Sequence, residues 1–436
     1  MPRITGEHNR AIDVSARCDS RDCITAEAVS QHKNAFRIHL GLPAQQSYGL
    51  YAQGRQSLAI PQASLLNIQN GSDTYGFHPN MPEVAALYRS SNLAVMANVG
   101  MLVQPTTPTI YKNNNLAQLP SQLFSHSDQV NQWQAAIPNG TATTGWGGRV
   151  EDSLLAQYNQ GAAFSPVTAT SGCGLFCTGQ QTFAATVPVG GASLLAGATS
   201  QSRLTAVNQL MQFNNGMTLV QAANANFNRG VGFSQALDAA LATAKVNTAF
   251  PNTIIGSQLQ TVARIMSIRN ALSIGRQVFF CQLGGFDTHG AQASQQDPLL
   301  QQLSQAMGQF YLALQEVSTD KNTVTFTASE FGRTLQPNGN AGTDHAWGSH
   351  HLVMATSAAL GGPLYGGQFY GQFPSLALGG SDDANMRGTI VPTTSVDQYA
   401  ATLAQWFGVV NPSSINGMFP YVKNFGTTNL GFLNLS

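Results

Sequence analysis

Asp287, His289, Glu330, Asp344, His345, His350 and His351 set carboxylates beside imidazoles in a chain where charged residues make up only 9%. Four of its nine histidines are among them. They stand in three short motifs: Gly-Gly-Phe-Asp-Thr-His-Gly at 284–290, Ser-Glu-Phe-Gly-Arg at 329–333, and Gly-Thr-Asp-His-Ala-Trp-Gly-Ser-His-His at 342–351. Carboxylate oxygen and imidazole nitrogen both offer lone pairs to a borderline-hard divalent cation. Gathering such groups in a partly buried place is costly unless positive charge balances them. The pattern predicts a metal centre holding zinc, with manganese, magnesium or calcium as the alternatives.

Each motif has a plainer reading beside the chemical one. Asp287 and His289 lie two apart in a glycine-flanked loop, so an extended backbone puts both on one face, within reach of one ion; the plain alternative is a solvated loop with an Asx-turn aspartate. Glu330 is either a ligand or a partner for Arg333, and Arg333 either steers an anionic substrate or neutralises Glu330. Asp344 and His345 are adjacent and point in different directions, which suits two ions or a binuclear bridge. Of His350 and His351, one is expected to bind metal and the other to support it or meet substrate, with His350 favoured.

Such a set needs rigid elements behind it. Arg276–Leu283 reads as a strand feeding the first motif, and Thr323–Ala328 as a strand running into Glu330. Between them, Leu299, Leu300, Leu303, Met307, Phe310, Leu314 and Val317 recur at helical spacing. A helix over 81–90 precedes a buried strand over 92–100, further helical patterns cover 201–213, 233–246 and 256–273, and a last helix starts at Ser395. Strand, crossover helix and strand predict an α/β fold, a mostly parallel central sheet covered by helices. Sites in open sheets form beyond the carboxyl ends of the strands, where Asp287 and Glu330 both fall. Residues 139–200, rich in Gly, Ser, Thr and Ala, are expected to be β-rich within an insertion near 139–250.

Composition narrows the function classes. Lys+Arg and Asp+Glu balance at 20 each, so no basic surface points to nucleic acid. No stretch approaches the roughly 20 apolar residues of a membrane span. Abundant uncharged polar residues suit a secreted or periplasmic setting. Cys173 and Cys177 form a small disulfide or remain thiols, and Cys281 sits in an apolar strand as a small core residue. Residues 1–48, with Arg3, Arg10, Arg17 and Arg21, show no periodic run and no export signal. They are expected to be a poorly ordered segment ahead of a domain over 49–436.

The three motifs, in this order, resemble those of the bacterial family catalogued as domain of unknown function 1501, which is similar to sulfatases and belongs with the alkaline-phosphatase-like superfamily. The likeness extends to Arg55-Gln-Ser-Leu-Ala-Ile-Pro61, Gly76-Phe-His-Pro79, Leu123-Phe-Ser-His-Ser-Asp128 and Asp397 to Gly408. The resemblance implies an alkaline-phosphatase-like fold, a binuclear metal centre and hydrolysis of a small anionic phosphate or sulfate ester. Asp344 and His345 would serve one metal, Asp287, His289 and His350 or His351 the other, and Glu330 would add a ligand. It also implies a hydroxyl nucleophile at a helix start, Ser125 first and Ser127 second; the plain alternative is a serine capping an ordinary helix. Family members open with an apolar strand and Gly-Gly-x-Asp-Gly, and residues 1–48 hold no such motif. The tail therefore reads as replaced, with a central strand and one metal-binding aspartate missing. A catalytically inactive, secreted binding or scaffold protein is the competing function; protein partners are unspecified.

Overall fold

The computed structural model describes residues 23–28, 44–113, 117–172, 174–190, 200–213 and 216–435, with backbone only for 23–28 and 44–47. Cys173 lies outside the described residues, and with it the choice between a disulfide to Cys177 and two thiols. The strands are β1 (Cys23–Ala28), β2 (Leu66–Asn70), β3 (Asp73–Phe77), β4 (Leu93–Gly100), β5 (Val167–Ala169), β6 (Ala185–Thr186), β7 (Gln277–Gln282), β8 (Thr323–Ala328), β9 (Ser349–Met354), β10 (Phe369–Tyr370) and β11 (Thr394–Ser395). The α-helices are α1 (Ala44–Arg55), α2 (Pro82–Arg89), α3 (Pro108–Lys112), α4 (His126–Ala135), α5 (Trp146–Tyr158), α6 (Gln201–Gln212), α7 (Thr218–Leu241), α8 (Ile254–Ser267), α9 (Gln292–Glu316), α10 (Val396–Phe407) and α11 (Pro412–Met418).

Nine strands form one sheet in the order β10-β4-β9-β8-β1-β7-β5-β6, with β11 also on β4; β2 and β3 pair as a separate hairpin. All neighbours in the large sheet run parallel except β9, which is antiparallel to β4 and β8. This is the α/β architecture expected. Strands β4, β7, β8 and β9 are buried on both faces, and β4 and the centre of β7 read accordingly as apolar runs. Phe279 and Cys281 of β7 join α2, α8 and α9 in one core, while Val278 and Phe280 join α4, α5, α10 and α11 in the other. Each fully buried aliphatic or aromatic side chain there contributes about 1.5–3 kcal/mol. α10 is fastened at its start by a capping box, Ser395 with Gln398.

Two expectations are corrected. The sheet does not lack a central strand: β1 lies between β7 and β8, parallel to both. Cys-Ile-Thr-Ala-Glu-Ala carries weak strand propensity by itself, and hydrogen bonding on both sides overrides that. Second, the described part of 139–200 holds little strand: β5 and β6 are three and two residues long and belong to the main sheet, and α5 is its longest element.

The carboxyl ends of β7, β1 and β8 lie level, with Ala28 in register with both Gln282 and Ala328. The loops bearing Asp287 and Glu330 leave from the two flanking strands. After Glu27 the chain has no Asp or Glu before Asp73.

Candidate metal centre

The loop after β7 carries Asp287 and His289; that after β8 carries Glu330 and Arg333. Past Arg333 the chain turns back so that Arg333 and His345 form an antiparallel bridge, flanked by Thr334 N to Asp344 O at 2.9 Å and Ala346 N to Gly332 O at 2.8 Å. This pairing sets the third motif against the second. Asn338 shapes the intervening turn, its Oδ1 accepting from Asn340 N and Gly342 N and its Nδ2 donating to His289 O at 3.0 Å. Gly342 is required there because a Cβ would collide with the backbone of His289 and Gly290.

His126, the first residue of α4, completes the group and was not among the residues singled out from sequence. Its Nε2 lies 3.1 Å from His345 Nε2 and 3.5 Å from Asp287 Oδ2. His289 Nε2 lies 3.0 Å from both His345 Nε2 and Asp287 Oδ1, and His345 Nε2 is 3.2 Å from Asp287 Oδ1. Three imidazole Nε2 atoms therefore meet at one carboxylate. Ligand atoms of His126, Asp287 and His345 all fall within 4.8 Å of one another.

The opposite ring nitrogens decide the tautomers. His345 Nδ1 is 2.8 Å from the Phe124 carbonyl, and His126 Nδ1 is 2.8 Å from Glu330 Oε1. His289 Nδ1 faces Asp344 Oδ1 at 3.4 Å. Acceptors at Nδ1 keep a proton there; a ring also protonated at Nε2 donates to Asp287, while a neutral ring turns its Nε2 lone pair toward the same point. Lone pairs pointed together repel unless a cation sits among them. Zinc bonds of about 2.0–2.1 Å to nitrogen place tetrahedral ligand atoms about 3.3 Å apart, and the observed spacings bracket that value. The donor set fits a divalent ion.

The electrostatics agree. Burial lowers the His126 pKa, but hydrogen bonds to Asp287 and Glu330 and their negative charge outweigh it and raise it to about 9. The field favours positive charge at this point. Burial acts to raise the Asp287 pKa, yet hydrogen bonds from His126, His345 and Arg333 and the Arg333 charge hold it far below the usual carboxylate range. Asp344 is also lowered: burial is outweighed by Asn338 and by Arg387, 2.9 Å away at the rim.

Arg333 is turned toward Asp287, with the negative charge of Glu330 also acting on it. Fully buried, it donates from Nη1 to Asp287 Oδ1 at 2.5 Å, from Nε to Thr343 Oγ1 at 2.9 Å, and from Nη2 to the Thr343 carbonyl. It holds Asp287 in place, so its assignment as a catalytic residue is corrected to a positioning one. A buried chain of side chains continues the bracing: Thr343 Oγ1 donates to Gln292 Oε1, and Gln292 donates to Gln296 Oε1. Gln296 Nε2 in turn donates to Phe286 O and Thr288 Oγ1, on either side of Asp287. α9 thus fixes the loop and its arginine together.

His350 and His351 go elsewhere. Successive residues of β9 face opposite sides of the sheet. His350 Nδ1 accepts from Asn98 N at 3.1 Å and its ring stacks on Phe373. His351 is wholly buried against Trp133 and Tyr399, which corrects its expected part in metal binding or substrate contact. Burial pushes its pKa down to about 3. A histidine neutral when folded but protonated near pH 6.5 when unfolded stabilises fully above that pH and less as pH falls toward 3. Between pH 6.5 and 4, unfolding titrations are expected to show wild type losing about 3 kcal/mol more than His351→Phe. Equal losses would contradict the neutral assignment.

Ser125 stands at the N-terminus of α4 without capping it by its side chain; instead Oγ donates to Asp128 Oδ2 at 2.5 Å, with Ser127 Oγ at 3.3 Å. The plain capping alternative therefore does not hold for this hydroxyl. Ser127 is exposed. Phe124, just before, has φ +70°, a left-handed conformation costing about 1–2 kcal/mol, and its carbonyl holds His345. Phe331 packs against the rings of both His126 and His345.

The family described as protein of unknown function (DUF1501) matches residues 25–414. The chain belongs to the DUF1501 family. The match takes in most of β1, all three motifs and α10. No curated protein matches the chain. Among solved structures, Ps i-CgsB in complex with k-i-k-neocarrahexaose is similar at 10% identity and a TM-score of 0.36, over 93% of this chain and 77% of that one. The C-terminal periplasmic domain of EcEptC from Escherichia coli, in complex with Zn, is similar at 9% identity and a TM-score of 0.34, over 78% and 74%. The PsFucS1 sulfatase from Pseudoalteromonas sp. is similar at 9% identity and a TM-score of 0.29, over 87% and 71%. Likenesses at these scores are coarse. Among the described residues of this DUF1501 protein, no helix is long and apolar enough to cross a membrane.

Proposed function

We propose that this protein is a metal-dependent hydrolase of phosphate or sulfate esters, in a periplasmic or secreted setting. The observation that supports it is the meeting of His126, His289 and His345 Nε2 around the Asp287 carboxylate. In this reading those four side chains hold one divalent ion, zinc by donor type. Glu330, Asp344 and the Phe124 carbonyl orient the imidazoles from behind. A divalent ion there would supply Lewis-acid charge to an ester oxygen.

The remaining work falls to this chain's own groups. Ser125 is the nucleophile, its proton already directed to Asp128, which serves as the base. The free N–H groups at the start of α4 favour an anionic substrate beside that hydroxyl. Arg387, partly exposed at the rim, adds positive charge at the entrance.

The test uses p-nitrophenyl phosphate and p-nitrophenyl sulfate with metal-stripped and zinc-reloaded protein. Turnover of at least one ester is expected to require zinc. Ser125→Ala is expected to lower it at least 1,000-fold at unchanged zinc content, since a nucleophile acts only in the chemical step. Activity indifferent to both treatments sinks the reading. A fully loaded protein inert on both esters favours the inactive scaffold, a reading motivated by the lack of any acid between Glu27 and Asp73.

A further inference from the structure

Far from the metal centre, at the opposite rim of the sheet, a cavity of about 570 Å³ opens where the segments leading into β5 and β6 meet α7. Phe164, Phe183, Arg229 and Phe233 line it and also border a second cavity of about 280 Å³ that continues along β6. Volumes of about 300–1,000 Å³ with apolar walls and a few convergent polar groups are characteristic of small-molecule sites. Nothing in the proposed hydrolysis uses this region.

One polar group stands out against its aromatic walls. The Arg229 guanidinium lies over the Phe183 ring at 3.7 Å, and its hydrogen bond is a long one, 3.4 Å, to Asn226 Oδ1 on the same helix. No carboxylate pairs with it among the described residues. Asp152, the acid in the wall, is already engaged: its oxygens accept the backbone N–H groups of Gln180 at 2.6 Å, Gln181 at 3.1 Å and Thr182 at 2.7 Å. The stacked guanidinium remains the available charge.

We propose that this cavity binds a small monocarboxylate with an apolar body, its head taken by Arg229 and its body laid among Phe164, Phe183 and Phe233. One planar cation matches a singly charged, planar anion. A dianionic phosphate would find too few donors. The aromatic walls set the apolar body, and the continuation along β6 gives room for an extended chain.

Calorimetric titration of the full chain with octanoate, octanamide and octyl sulfate tests this. Octanoate is expected to bind below 1 mM, with octanamide at least tenfold weaker. Arg229→Gln keeps a polar group on the helix surface but removes the charge, and is expected to weaken octanoate at least tenfold. Circular dichroism and zinc content of this variant should match wild type, so lost binding reports the site rather than the fold. Equal affinity for octanoate and octanamide, full affinity in Arg229→Gln, or tighter binding of octyl sulfate than of octanoate would each overturn the proposal. Because the cavity is remote from the metal centre, these outcomes are independent of whether any ester is hydrolysed.

Discussion

His126→Ala is expected to weaken zinc binding by well over 100-fold, measured by competition with a chromogenic chelator. Loss of a group that only orients a metal-binding histidine costs about 10–100-fold, so loss of a ligand must exceed that range. The design therefore sets three variants in order. Glu330→Gln keeps an acceptor for His126 Nδ1 but removes its charge, and should cost about tenfold. His351→Phe changes a ring buried against Trp133 and Tyr399, and should leave affinity within about threefold. Were Glu330→Gln to cost more than His126→Ala, Glu330 would be the ligand and His126 its support, and the assignment would have to be exchanged.

The second large effect is on stability. Arg333→Met removes the fully buried guanidinium that faces Asp287, whose own side chain is only 9% exposed. Breaking a buried ion pair from one side leaves an uncompensated charge and costs about 3–5 kcal/mol, more than the pair contributes when intact. Urea unfolding of metal-free Arg333→Met should show a loss of that order. Adding Asp287→Asn should restore about half of it, because the stranded charge is then gone. A loss below about 1 kcal/mol in the single variant would mean that Asp287 is not held by Arg333. The comparison must be made without metal, since a bound cation would itself neutralise the aspartate and shrink the difference.

Both effects depend on how the site is braced. Asp287 is gripped from one side by Arg333 and enclosed by the Gln292–Gln296 pair on α9, while Phe331 supports two of the imidazoles. The strain at Phe124 belongs to the same arrangement, since that turn presents the carbonyl that orients His345. Preorganisation of this kind is what a hydrolytic site requires, because charge must already be in place when the bond breaks.

Much of this was legible from residue order. The runs that became β4 and β7 are largely apolar because both their faces are covered, β8 shows itself by β-branched residues, and α9 and α10 keep a helical period against a core. Asp287 and Glu330 follow directly from strand ends, so contiguity alone placed them at one rim. What residue types could not settle was which histidines belong together. His126 is over 150 positions away in the chain from Asp287, and only the docking of α4 brings it there. His350 and His351 sit in the motif by order but in β9 by fold, where alternation sends neighbouring side chains to opposite faces. β1 was hidden for a related reason: its six residues carry little propensity, and its hydrogen-bond partners come from strands more than 250 positions later. Local pattern determines where elements can form and which loops leave their ends. Long-range packing decided which imidazoles share a point, because that depends on distances the order of residues does not encode.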